Sequence, residues 1–304
     1  MPSVSVTQLS KSYSSIKALD NVSFDVPKGE LFGIIGPDGA GKTTLFRLLT
    51  TLILPDSGSV VIEGMDVVKD YASVRSIIGY MPGKFSLYQD LTVEENLNFF
   101  ATVFNTTVKE NYHLIEDIYK HIEPFKTRRA GKLSGGMKQK LALSCALIHK
   151  PKVLFLDEPT TGVDPVSRKE FWEMLLKLKN QGITIIVSTP YMDEARLCDR
   201  IALMQNGKFL RIDSPDNIIA SYPQRLLSVT ADNMHRLLND LRSCPYLKSS
   251  FSFGACYHVT MVESATAAML DEYLINKGYG NIDITEIKPT VEDCFMLMLK
   301  EDEQ

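Results

Sequence analysis

At 304 residues the chain exceeds one minimal domain and fits one large domain plus a smaller one. Its 44% hydrophobic and 23% charged residues suit a protein that buries a proper core. A net charge of −4 gives no electrostatic case for nucleic-acid binding, and no apolar run approaches the roughly 18 residues needed to cross a bilayer. The opening residues lack the basic and apolar segments of a secretory signal. The five cysteines are scattered without metal-ligand spacing, which reads as reduced thiols in a soluble intracellular protein.

The first third is rich in short β-like runs. Val4 and Val6 alternate with polar residues, and residues 22–26, 31–35 and 59–62 follow as strands. The run 31–35 is wholly apolar and leads into Gly36-Pro37-Asp38-Gly39-Ala40-Gly41-Lys42-Thr43-Thr44, a complete G-x-x-x-x-G-K-[ST] loop, before a helix over 45–49. Glycines let successive N–H groups turn toward phosphate oxygens, and the helix N-terminus adds partial positive charge. Lys42 is assigned to the β- and γ-phosphates and the Thr43 hydroxyl to Mg²⁺. From Leu91 the pattern turns helical, opened by a capping box of Thr92 and Glu95, and a further helix is expected over 111–122.

After Gly135-Gly136, a helix carries Met137, Leu141, Cys145 and Ile148 on one stripe, and Pro151 ends it; Cys145 is assigned to core packing. The apolar runs 153–156 and 183–187, with a helix over 171–178 between them, indicate a parallel sheet covered on both faces. The first run ends in Asp157-Glu158. Asp157 is positioned to support Mg²⁺ and Glu158 to act as general base on a water. Near residue 213 the character changes. Strands over 226–230, 256–261 and 282–287 alternate with helices over 234–241, 267–276 and 291–299, the last capped by Thr290 and Asp293. This reads as a small α+β module of ferredoxin-like character.

Leu133-Ser134-Gly135-Gly136-Met137-Lys138-Gln139 decides between phosphate-loop families. With it, residues 1–215 resemble the nucleotide-binding subunit of an ATP-binding cassette (ABC) transporter. The resemblance implies an α/β P-loop NTPase: a parallel sheet core, an antiparallel β subdomain, and a helical subdomain at about 84–150. It implies ATP and Mg²⁺ as ligands, and a head-to-tail dimer with a second cassette, identical or different. ATP then lies between the Walker residues of one subunit and Ser134, Gly135 and Gly136 of the other. Gly162-Val163-Asp164 resembles the D-loop that crosses this seam, and Tyr13 matches the aromatic that stacks on adenine. A separate transmembrane permease is implied as partner, with the chain peripheral on the inner face of the membrane. Residues 191–200 and 291–295 resemble the daunorubicin-resistance and polysaccharide type of exporter ATPase, which carries a small C-terminal accessory domain, here 216–304.

Two positions depart from the family pattern. Gly83 follows Tyr80-Met81-Pro82 where the family has Gln, and Pro190 follows Ser188-Thr189 where it has His. Asp38 stands where Asn is commoner. Losing one preorganised donor from a charge-stabilising site costs on the order of 10²–10³ in rate, so slow stand-alone hydrolysis is expected. The rival reading is an ATP-dependent conformational switch that hydrolyses little. A ribosome- or DNA-directed cassette fits poorly, since the chain has one cassette, no long coiled-coil insertion and an acidic balance.

Overall fold

The computed structural model describes residues 1–223 and 225–302, with side chains up to residue 300. The chain divides into two compact units, Met1–Pro215 and the remainder from Asp216.

The first unit begins with β1 (Val4–Tyr13) and β2 (Ile16–Val26), an antiparallel hairpin. Val4, Val6 and Leu9 face inward, so the two-residue alternation slips once. The slip is a bulge at Gln8, whose φ is 49°. Next come β3 (Leu31–Ile35), α1 (Lys42–Leu49), β4 (Ser57–Ile62) and β5 (Met65–Asp66). Gly58 crosses the bulge, and any Cβ there would sit 2.4 Å from the Gln8 carbonyl oxygen. Then follow α2 (Tyr71–Ile77), β6 (Ile78–Met81), α3 (Val93–Val103), α4 (Val108–Tyr119) and α5 (Gly135–Leu147). The unit is completed by β7 (Val153–Asp157), α6 (Pro165–Asn180), β8 (Thr184–Thr189), β9 (Arg200–Gln205), β10 (Lys208–Asp213) and the start of α7 (Pro215–Ala220).

Two sheets result. One is antiparallel, in the order β2-β1-β4-β5. The other has six strands in the order β10-β9-β3-β8-β7-β6, parallel except for β10. Every residue of β3, β7 and β8 is buried, which is why these strands are built around the apolar stretches 31–35, 153–156 and 185–187. The inner face of α1 packs against them, with Phe46 edge-on to Phe155 at 6.2 Å. The carboxyl ends of β3, β8 and β7 therefore open on one edge of the sheet, where α/β folds place their ligands.

Local signals set the helix ends. The Thr92–Glu95 box closes reciprocally: Thr92 N–H donates to Glu95 Oε2 at 2.7 Å, and Glu95 N–H to Thr92 Oγ1 at 3.2 Å. Replacing Thr92 by Ala should cost about 1 kcal/mol in urea unfolding, and Ser should recover most of it. A second box, Thr107 with Glu110, starts α4 at Val108, earlier than the expected 111. Helix α5 stops at Leu147, four residues before Pro151, and Lys150 just beyond it takes the left-handed φ of 58° common past helix ends. Cys145 on this helix is buried, and burial raises its thiol pKa.

The second unit holds β11 (Leu226–Thr230), α8 (Met234–Arg242), β12 (Leu247–Phe253), β13 (Cys256–Met261), α9 (Ala267–Asn276), β14 (Asp283–Ile287) and α10 (Val291–Asp302). Its antiparallel sheet runs β12-β13-β11-β14, the order of a split β-α-β-β-α-β unit. The sequence reading lacked β12, which completes that order. Thr290 N–H donates to Asp293 Oδ2 at 2.7 Å at the start of α10.

Candidate functional site

The phosphate-type loop is a close fit between strands. Gly36 N–H donates to the Thr189 carbonyl at 3.3 Å, tying the exit of β3 to the exit of β8. A Cβ on Gly36 would lie 2.3 Å from the Met204 carbonyl oxygen. Gly41 has φ 109°, and a Cβ there would meet the Ala18 carbonyl oxygen at 2.5 Å. Asp38 and Gly39 form the exposed tip, while Pro37 is half-buried and Ala40 is buried. Lys42 opens α1 and is only 3% exposed. Its ammonium donates to the carbonyls of Gly36 at 2.8 Å and Pro37 at 2.9 Å, and pairs with Glu158 Oε1 at 3.1 Å. Thr43 and Thr44 follow, half-buried, in the first helical turn.

At the end of β7, Asp157 is 1% exposed. Its Oδ1 accepts the Ser188 hydroxyl at 2.6 Å, and the nearby Thr43 hydroxyl also favours the ionised carboxylate. Burial, joined by the charge of Glu158, raises its pKa and outweighs Ser188, Thr43 and Lys42. Burial and the Asp157 charge likewise push the Tyr80 phenol up to about 12. Glu158 takes φ 50°, a strained setting for a non-glycine residue. Its N–H is held by Ser188 twice, at 3.1 Å to the carbonyl and 3.0 Å to the hydroxyl. Ser188 is thus a site residue that the sequence reading passed over; its signal was a serine ending an apolar strand.

The donor set fits a hard divalent cation. Thr43 and Asp157 offer neighbouring oxygen ligands, and burial disfavours the charged form of the Asp157 carboxylate, a cost that a bound cation would relieve. The raised pKa makes a stability prediction. A carboxyl whose folded-state pKa lies above the unfolded value adds stability below the unfolded pKa and loses it as pH rises through the folded value. Asp157→Asn should therefore raise the melting temperature of the nucleotide-free chain at pH 7–8, and raise it less near pH 4 (about the unfolded Asp value).

Ser134 caps α5, accepting Met137 N–H at 3.4 Å, with Gly135 and Gly136 in its first turn. Gly136 is pressed on α6, since a Cβ would fall 2.6 Å from Ser167 Oγ. Asp164 caps α6 by accepting Ser167 N–H at 3.0 Å, and that bond lowers its carboxyl pKa. No hydrogen bond or ion pair among the described residues joins Ser134, Gly135 or Gly136 to Lys42, Thr43, Asp157 or Glu158. One chain therefore presents two separate helix N-termini. Tyr13 ends β1 at 42% exposed, opposite Ile16 across the hairpin.

Gly83 sits against Asp157, where an added Cβ would lie 3.1 Å from the Asp157 carbonyl oxygen. Pro190 directly follows β8. Beside the 80–87 segment runs an apolar groove of about 440 Å³ lined by Tyr80, Phe100, Phe104 and Ala142, with Leu52 and Val103 exposed at the surface. No helix among the described residues is long and apolar enough to cross a membrane.

The profile of the ABC transporter family matches residues 19–161. The probable multidrug ABC transporter ATP-binding protein YbhF of Escherichia coli K12 is 40% identical over 275 residues, covering 89% of this chain but 47% of that protein. The chain thus spans about half of that relative. The Nod factor export ATP-binding protein I of Rhizobium sp. strain N33 is 33% identical over 300 residues, covering 96% of this chain and 95% of that protein. Among solved structures, the ATP-binding subunit of an ABC transporter superposes with a TM-score of 0.66 at 28% identity, over 72% of this chain and 92% of that one. The dimeric post-hydrolysis cassette MJ0796 bound to ADP and Pi gives 0.64 at 27% identity, over 69% and 98%. A phosphate-type loop, an adjoining acidic pair and a serine-capped glycine helix on this fold, with a relative matched along nearly its whole length, establish that the chain belongs to the ABC transporter family of ATP-binding proteins.

Proposed function

We propose that this chain is the ATP-binding and hydrolysing subunit of an exporter-type ABC complex, working as a dimer of cassettes beneath a separate membrane permease. The observation that carries it is the buried Lys42 ammonium, held between its own loop carbonyls and Glu158, next to Asp157. Residues 1–215 form the cassette. Loop amides from Gly36 to Thr44 and the Lys42 ammonium bind the triphosphate, and Tyr13 stacks on the adenine. Thr43 and Asp157 hold Mg²⁺, which when bound offsets phosphate charge. Glu158 takes the proton of the attacking water onto its carboxylate once Lys42 turns from it to the phosphates. Ser134, Gly135 and Gly136 face the triphosphate held by the second cassette, and Gly162 to Asp164 line the seam. The apolar groove beside Gly83 receives the permease, which fixes the chain to the inner membrane face. Residues 216–304 serve as an accessory domain.

A second reading, an ATP-driven switch with little hydrolysis, is favoured by the bare Gly83 beside Asp157 and by Pro190; the retained Glu158 opposes it. Calorimetry with Mg-ATP tests the shared foundation. Wild type should bind, and Lys42→Ala should bind about 10–100-fold more weakly through loss of charge-assisted contacts. Absence of binding by folded wild type would overturn both readings.

A further inference from the structure

Glu194, five residues beyond the end of β8, is a carboxylate only 3% exposed. A lone buried charge is costly, so its partners matter. It accepts the Thr160 hydroxyl at 2.8 and 3.1 Å, the Thr189 hydroxyl at 2.5 Å, and the Arg168 guanidinium at 3.0–3.1 Å. Thr160 and Thr189 are themselves fully buried. Arg168 is fixed in turn by the Tyr191 ring, 4.2 Å below its guanidinium, and by Asp193 at 3.3 Å.

These donors come from three separate pieces of chain. Thr160 lies two residues after Glu158, on the turn that closes when Thr161 N–H returns to the Glu158 carbonyl at 3.2 Å. Thr189 directly follows Ser188, and its carbonyl receives the Gly36 N–H. Arg168 stands on the first turns of α6, behind the Asp164 cap. One carboxylate thus fastens the exit of β7, the exit of β8 and the base of α6 together. The chain leaves β8 through Pro190, whose ring offers no hydrogen-bonding group for that task.

We propose that Glu194 is a positioning residue for ATP hydrolysis: it sets the segment carrying Glu158 and Thr160 against the one carrying Ser188 and Thr189. This rests on the reading that Glu158 is the base. Glu194 itself touches no phosphate. It acts through the two threonines, so its removal should change turnover and spare nucleotide affinity.

The test uses the full chain, with kcat, Mg-ATP affinity and melting temperature measured together. Glu194→Ala should lower kcat about 10–100-fold, as losses of outer-shell partners do, with affinity within about threefold of wild type. Glu194→Gln, which keeps the length and one acceptor oxygen, should recover part of the rate. If Glu194→Ala does not fold, a cycle of Thr160→Val and Thr189→Val decides. Both hydroxyls report to one carboxylate, so the double variant should be little slower than the worse single one. Multiplying effects would overturn the proposal, as would unchanged kcat in folded Glu194→Ala or a fall in kcat matched by an equal loss of affinity. Wild type that binds no Mg-ATP would overturn the underlying reading as well, whereas wild-type turnover untouched by Glu194→Ala would sink this role alone.

Discussion

Glu158→Gln is expected to keep Mg-ATP binding within about threefold of wild type while slowing hydrolysis about 10²–10⁴-fold, the range for loss of a general base. The argument is geometric. Gln has the shape of Glu, and the strained backbone at this position is held by main-chain bonds to Ser188 that the substitution leaves in place. Lys42 loses one charged neighbour but keeps the Gly36 and Pro37 carbonyls. The phosphate loop therefore survives, and only the capacity to accept a proton goes. Single-turnover hydrolysis with protein in excess is the right measurement, because it registers slow chemistry without waiting for product release. Equal rates in the two proteins would remove Glu158 from the chemistry. Wild type that leaves ATP intact over hours would favour the switch reading.

What the sequence could show was local. The phosphate loop, both glycines of the serine-capped helix, the Thr92 box and the buried runs 31–35 and 153–156 each depend on residues within one turn or strand of each other. The partnerships that shape the site are not local. Ser188 meets Asp157 and Glu158 only because β8 lies beside β7 in a parallel register that sets Asp157 opposite it. Likewise Glu194 gathers groups from residues 160, 168 and 189, and no spacing rule announces that. Strand β12 was hidden by its serines. Ser249 is buried only through its bond to Thr260 at 2.5 Å, so the apolar alternation that marks a strand is broken there. The β9–β10 hairpin is a different case. Asn206-Gly207, both at positive φ (47° and 76°), is the usual signal for a type I′ turn, and it was legible though unread. The loop at residue 83 shows the converse: a missing side chain is obvious in sequence, but only the fold places the gap beside Asp157.

The combination of Gly83→Gln with Pro190→His is expected to raise kcat about 10²–10³-fold, the reverse of removing preorganised donors from a charge-stabilising site. A side chain at 83 starts 3.1 Å from the Asp157 carbonyl oxygen and 3.8 Å from Oδ2, so a Gln amide would emerge at the acidic pair. That first contact is tight, and the 83 loop must yield by a few tenths of an ångström, which should hold Gly83→Gln alone to a gain of about tenfold or less. A His at position 190 would return a side-chain donor directly after Thr189, whose carbonyl already anchors the phosphate loop through Gly36. Steady-state hydrolysis at saturating Mg-ATP, with the Glu158→Gln chain as the zero, measures the gain. Unchanged turnover would mean that neither position limits the rate, and the slow-hydrolysis reading would fall. A gain confined to Pro190→His would place the deficit at the exit of β8, where the Glu194 cage takes over. One confined to Gly83→Gln would place it at the water and metal side of Asp157.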